Sequence, residues 1–85
     1  MKALEIRQLL VAGASDRVRK KLKRLALPER MSALQGCIQA GLINESPINL
    51  KFFKENFIDE IGSILLSEGD LVKAVGYYNE SKRIK

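Results

Sequence analysis

Apolar residues return every three or four positions along most of this chain, and strict alternation over four or more residues is hard to find. That spacing predicts helices and no strands, because side chains three and four apart share a helix face while strands alternate with a period of two. Five helical segments follow from it. The first runs from about Lys2 to Ala12 and stops at Gly13. Ser15 or Asp16 suits the N-cap of a second, which reaches about Ala26 with Val18, Leu22 and Leu25 at helical spacing. Leu27-Pro28 breaks it, since proline disfavours helix at the preceding residue and is tolerated in a first turn. A third segment continues to about Ala40, with Met31, Leu34 and Ile38 inward and Gly41 as its stop. Asn44-Glu45-Ser46-Pro47 is the clearest loop. Ser46 or Asn49 then starts a long helix with Phe53, Phe57, Ile61 and Ile64 on one face, ending at Gly69. Asp70 opens the fifth, which frays over residues 82–85. The expected architecture is an all-α single domain over residues 1–85, a small bundle of about five short helices. Residues 1–43 form a helical half, and residues 49–85 an antiparallel helical hairpin.

The stretch from Phe57 to Ile84 is the most closely specified. Gly69 suits the left-handed position that ends a helix, and Asp70 caps the next by accepting a backbone N–H. Ile58, Ile61 and Leu65 line one face of the first arm, and Leu71, Val75 and Tyr78 one face of the second. Gly62 and Ala74 stand almost symmetrically about the turn, which predicts a close crossing of the two arms there. Glycine inside a helix costs about 1 kcal/mol relative to alanine, so Gly62 calls for a packing reason.

The order Ile61-Gly62, Leu65, Gly69-Asp70-Leu71, Ala74, Tyr78, Ser81 resembles the tetratricopeptide repeat. The resemblance covers about residues 55–84 and occurs once. One repeat length upstream, Pro28 and Gln35-Gly36 fall on the small and turn positions. Within it, Ile58 stands where the family prefers Trp, and Lys82 where an apolar residue is usual. Lys51-Phe52-Phe53, Gly62, Leu65-Leu66 and Gly69 are also similar in local wording to the single-repeat mitochondrial presequence receptor family. No membrane anchor like that family's is expected here. The resemblance implies a hairpin whose apolar face must be covered by the N-terminal helices, a second copy of the chain or a different protein.

Composition narrows the function classes. Eighty-five residues make one marginal core, with 46% hydrophobic and 29% charged residues, ordinary for a folded domain. Histidine is absent, which removes Ser-His, Cys-His and His-metal arrangements together. The six glycines never approach a phosphate-binding loop. Asp59-Glu60 with Glu55, the densest acidic group, reads as a solvated helix face rather than a carboxylate pair or metal site. The single cysteine, Cys37, reads as a small buried hydrophobe and favours a cytoplasmic or other reducing compartment. No apolar run approaches the roughly 18 residues of a membrane span, and no export signal is expected. The expectation is a protein that is not an enzyme, with no cofactor and no small-molecule substrate.

Charge is uneven. Residues 1–30 carry a local balance of +6, residues 31–68 one of −3 and the remainder +2, giving the net +5. Arg17, Arg19, Lys20, Lys21, Lys23 and Arg24 concentrate the positive field on the second helix, which suits phosphates, an acidic partner or plain solvation. A DNA-binding helix-turn-helix over Glu5–Leu25 fits poorly, with Leu9 at the tight-packing position and Arg19 where Val or Ile is usual. All five aromatics (Phe52, Phe53, Phe57, Tyr77, Tyr78) lie away from the basic helix, so stacking on single strands is not expected. Neighbouring residues on a helix point about 100° apart. One ring of Phe52 or Phe53, and one of Tyr77 or Tyr78, is therefore expected to stay partly exposed. These four residues are the expected contact surface of a non-catalytic protein-interaction module (adaptor, chaperone-like or regulatory subunit) that binds another protein or a second copy of itself. The alternative is a small basic nucleic-acid-binding regulator acting through the helix around residues 16–26.

Overall fold

The computed structural model describes residues 1–70 together with Val72, Lys73 and Val75. Among these residues the chain is all-helical, with four helices: α1 (Ala3–Val11), α2 (Ser15–Arg24), α3 (Leu27–Gln39) and α4 (Pro47–Ser67). The expected fifth helix begins beyond Gly69, where the three described residues are in helical conformation. The rest of it, with Leu71, Ala74, Tyr77 and Tyr78, lies outside the described residues.

α1, α3 and α4 end where glycine permits a left-handed turn. Gly13 (φ 78°) and Gly41 (φ 70°) have the positive φ that side-chain-bearing residues avoid. Around each, two bonds close the last carbonyls. Gly13 N–H donates to Leu10 O at 3.1 Å and Ala14 N–H to Leu9 O at 2.8 Å, and Gly41 with Leu42 repeats the pattern onto Ile38 and Cys37. The same pair of bonds follows α4 at Gly69 and Asp70.

Helix starts agree less well with expectation. α2 begins at Ser15 itself, with Ala14 as its N-cap and no side-chain cap bond, so Ser15 and Asp16 sit inside the first turn. Asp16 is spent on Arg19 and Lys20 instead. The break before Pro28 falls at Leu25 and Ala26, both extended, while Leu27 is already helical. Pro28 occupies the first turn of α3, where its missing N–H costs no ladder bond. α4 follows the capping rule: Ser46 Oγ accepts from Asn49 N–H at 3.1 Å.

One core joins all four helices. Ile6, Val18, Leu22, Leu34, Cys37, Leu42, Phe53, Phe57 and Ile61 have no exposed surface. α4 packs mainly on α3, and α1 packs on α2 and α3. Asn49 is the one buried polar residue among the described residues, and its Nδ2 donates to the Leu42 carbonyl at 3.1 Å.

α4 is not one straight rod. Phe57 leaves helical geometry (φ −137°, ψ 31°). Just before it, Asn56 Nδ2 folds back to donate to the Phe52 carbonyl at 2.9 Å. A side chain bonded to the carbonyl four residues earlier is a recognised companion of helix kinks.

Candidate functional site

The basic residues of α2 divide into two sets by what they touch. On the flank toward α4, Lys23 Nζ donates to the Asn56 carbonyl at 3.1 Å and lies 4.9 Å from the centre of the Phe57 ring. The ammonium thereby serves the polar backbone and the aromatic face at the kink together. Arg19, half-buried on the same flank, pairs with Asp16. On the outward face, Arg17, Lys20, Lys21 and Arg24 are all exposed. Their spacing of three, four and seven aligns them along one side of the helix. Lys20 pairs with Asp16 at 3.2 Å and Lys21 with Glu5 of α1 at 3.7 Å, both in solvent. Among the described residues, Arg17 and Arg24 hold no ion pair or side-chain hydrogen bond. The Arg19 and Lys20 contacts hold the Asp16 carboxyl below its ordinary value.

Two further arginines finish helices. Arg30 of α3 forks onto the Leu22 and Lys23 carbonyls at 3.1 Å and the Leu25 carbonyl at 3.3 Å, closing the C-terminus of α2. It also pairs with Glu60 of α4 at 3.5 Å. Arg7 of α1 reaches the Ala40 carbonyl at 3.3 Å and Glu45 at 3.1 Å, doing the same for the end of α3. Part of the N-terminal basic excess is therefore used inside the fold.

The expectation of an exposed ring in the Phe52–Phe53 pair is corrected. Phe53 is fully buried and Phe52 is 7% exposed. Phe52 meets Phe53 edge-on at 5.1 Å and Phe57 at 6.1 Å between ring centres. Neighbouring side chains both find cover because the two rings pack on each other and Phe52 also packs on Phe57. Phe52 also lines an open groove between α4 and the start of α2, with Ser15, Asp16 and Arg19. Tyr77 and Tyr78 lie outside the described residues.

The hairpin arm holds one confirmation and one reversal. Ile61, Gly62 and Leu65 are buried on α4 and Ile58 is half-buried, as their spacing predicts. Val75, expected on the packed face of the second arm, is 48% exposed. Ala74 lies outside the described residues, and with it the expected crossing at Gly62. Asp70 Oδ1 accepts from Lys73 N–H at 3.4 Å, in keeping with its expected capping role.

Three of the seven exposed large apolar side chains among the described residues fall within ten residues of chain here, a feature that periodicity did not reveal. Leu66 is 44% exposed, Val72 84% and Val75 48%. The spacing of Val72 and Val75 was visible in the sequence, but their exposure was not. Cys37 is fully buried, as expected, and burial pushes its thiol up to about 11 against the opposing influence of Arg7 and the N-terminal ammonium. No group of three or more His, Cys, Asp and Glu among the described residues is placed to hold a metal ion. No helix among them is long and apolar enough to cross a membrane. No protein-family model, curated protein or solved structure matches the chain, so the repeat-like reading of residues 55–84 rests on those residues alone.

Proposed function

We propose that the chain is a non-catalytic protein-interaction module, an adaptor or regulatory subunit, whose contact surface lies at the end of α4 and the helical stretch that follows. The observation that carries this reading is the cluster of exposed Leu66, Val72 and Val75 within ten residues of chain. Single exposed apolar residues are ordinary on any protein surface. Three within ten residues of chain, on the two sides of one turn, are what a contact site there would use. The resemblance of residues 55–84 to a repeat hairpin supports the same reading, since such hairpins stack their apolar faces on a neighbour. Tyr77 and Tyr78 belong to the proposed surface by sequence. Phe52 and Phe53 support it from within the core.

A second copy of the chain is the first partner to test. The double substitution V72D/V75D places two charges on exposed positions and should leave the helical circular dichroism intact. Light scattering over a range of concentrations, and capture of untagged chain by tagged chain, should then show association that the variant loses. A wild-type chain that stays monomeric and captures nothing, or a variant that associates as well as wild type, rejects self-association through this surface. A partner protein retained by wild type and lost by the variant would keep the surface and reassign the partner.

A further inference from the structure

We propose that the outward face of α2 binds the phosphate backbone of double-stranded nucleic acid without regard to sequence. This surface is separate from the apolar patch after α4, and either assignment can fail alone. Arg17, Lys20, Lys21 and Arg24 line one exposed side of a helix, and seven residues of helix place the first and last about 10 Å apart along the axis. That length is comparable with a few successive phosphates of one strand. None of the four is committed to the core. Arg17 and Arg24 have no partner among the described residues, and the pairs of Lys20 and Lys21 stand in solvent, where screening holds such contacts weakly.

The chemistry of the face separates a duplex from other polyanions. An acidic protein interface needs apolar or aromatic anchors at its centre. The apolar residues within α2, Val18 and Leu22, have no exposed surface. An interfacial membrane helix would have to bury that same apolar face in lipid, and here the core already holds it. Single strands are held largely by bases stacked on exposed rings. The three described aromatics, Phe52, Phe53 and Phe57, are all buried. Positive charge with neither anchor nor stacking platform among the described residues suits a duplex, whose phosphates alone supply non-specific affinity.

The test is fluorescence anisotropy of a labelled duplex of about 20 base pairs, long enough to span the proposed contacts. A single strand of the same length and vesicles containing anionic lipid serve as competing arms. Four phosphate contacts predict a log–log salt slope of about −3.6, so affinity should fall about 150-fold between 50 and 200 mM salt. R17Q/R24Q removes only side chains that hold nothing in the fold, and should cost at least ten-fold in affinity at low salt with the melting temperature unchanged. R17Q/K20Q/K21Q/R24Q should abolish binding, K20R/K21R should retain it, and K2Q/K51Q, which removes two charges elsewhere, should change it less than two-fold. Failure of wild type to bind the duplex at low salt overturns the proposal. So does equal binding by R17Q/R24Q, a salt-independent affinity, or a preference for single strands or vesicles.

Discussion

Lys23 and Phe57 meet across the α2–α4 contact, with the ammonium 4.9 Å from the ring centre, at the residue where α4 departs from helical geometry. The same ammonium donates to the carbonyl of Asn56, the residue before the kink. A surface lysine in a basic run thus becomes a tie between two helices. Its four-carbon stem reaches across while its charge stays in contact with water.

That contact predicts a difference between two basic residues of one helix. Lys23→Ala should lower the free energy of unfolding by about 1 kcal/mol, from the lost cation–π contact and carbonyl bond. Arg17→Ala, at an exposed position without partners, should change it by less than about 0.5 kcal/mol. Urea denaturation of the two variants decides the matter, and equal midpoints would remove Lys23 from the fold's support.

Arg30 should prove the most sensitive cation among the described residues. Its guanidinium closes three carbonyls at the end of α2 and pairs with Glu60. Arg30→Ala should cost about 2 kcal/mol, because charge-assisted bonds at a helix terminus are lost together. Arg30→Lys should recover less than half of that, since an ammonium cannot reproduce the planar fork. Thermal melts in which lysine restores full stability would show that charge alone is required.

The phenylalanine cluster is predicted to act through stability. Phe53→Ala should cost about 3–5 kcal/mol by opening a cavity among Phe52, Phe57 and their neighbours. Ile48→Ala, at a position 75% exposed, should cost under about 0.5 kcal/mol. A Phe53→Ala variant that melts with wild type would show that the ring contributes little to the core.

Cys37 should be inert in the folded protein and reactive once unfolded. Its thiol is ordinarily near 9.0 and is pushed up to about 11 by burial. Below pH 9 both states keep the proton and no stability difference arises. Between about 9 and about 11 the unfolded chain ionises while the folded chain does not. The folded state then binds more protons, and this contribution to stability falls with rising pH by at most about 1.4 kcal/mol per unit. The difference in stability between wild type and Cys37→Ala, measured from pH 8 to pH 11, isolates this residue from other groups that titrate there. A thiol reagent that modifies the native protein as fast as the denatured one would contradict the burial.

Much of the fold is readable in the amino-acid sequence. Val18 and Leu22 in α2, Leu34 in α3, and Phe53, Phe57, Ile61 and Ile64 in α4 recur at helical spacing and are all buried. Gly13, Gly41 and Gly69 mark stops because glycine adopts positive φ without strain. These are local properties, determined within one turn of helix. The candidate sites were legible only in part. The six basic residues of α2 are consecutive enough to identify the charged helix, yet the sequence treats them as equals.

Tertiary structure decided what depends on a distant neighbour. Lys23 faces Phe57 while Arg17 and Arg24 face solvent because α4 lies against one side of α2 only. Phe52 is only 7% exposed, because its ring packs on Phe53 and on Phe57 at the kink. Val75 shows the opposite outcome, with an apolar side chain left in water. The sequence by itself determined which residues form helices, where those helices stop and which stripe of each is apolar, since backbone geometry and side-chain periodicity are short-range. Which polar and aromatic side chains meet a partner was decided by how the helices pack, and packing joins residues dozens of positions apart that no local pattern relates.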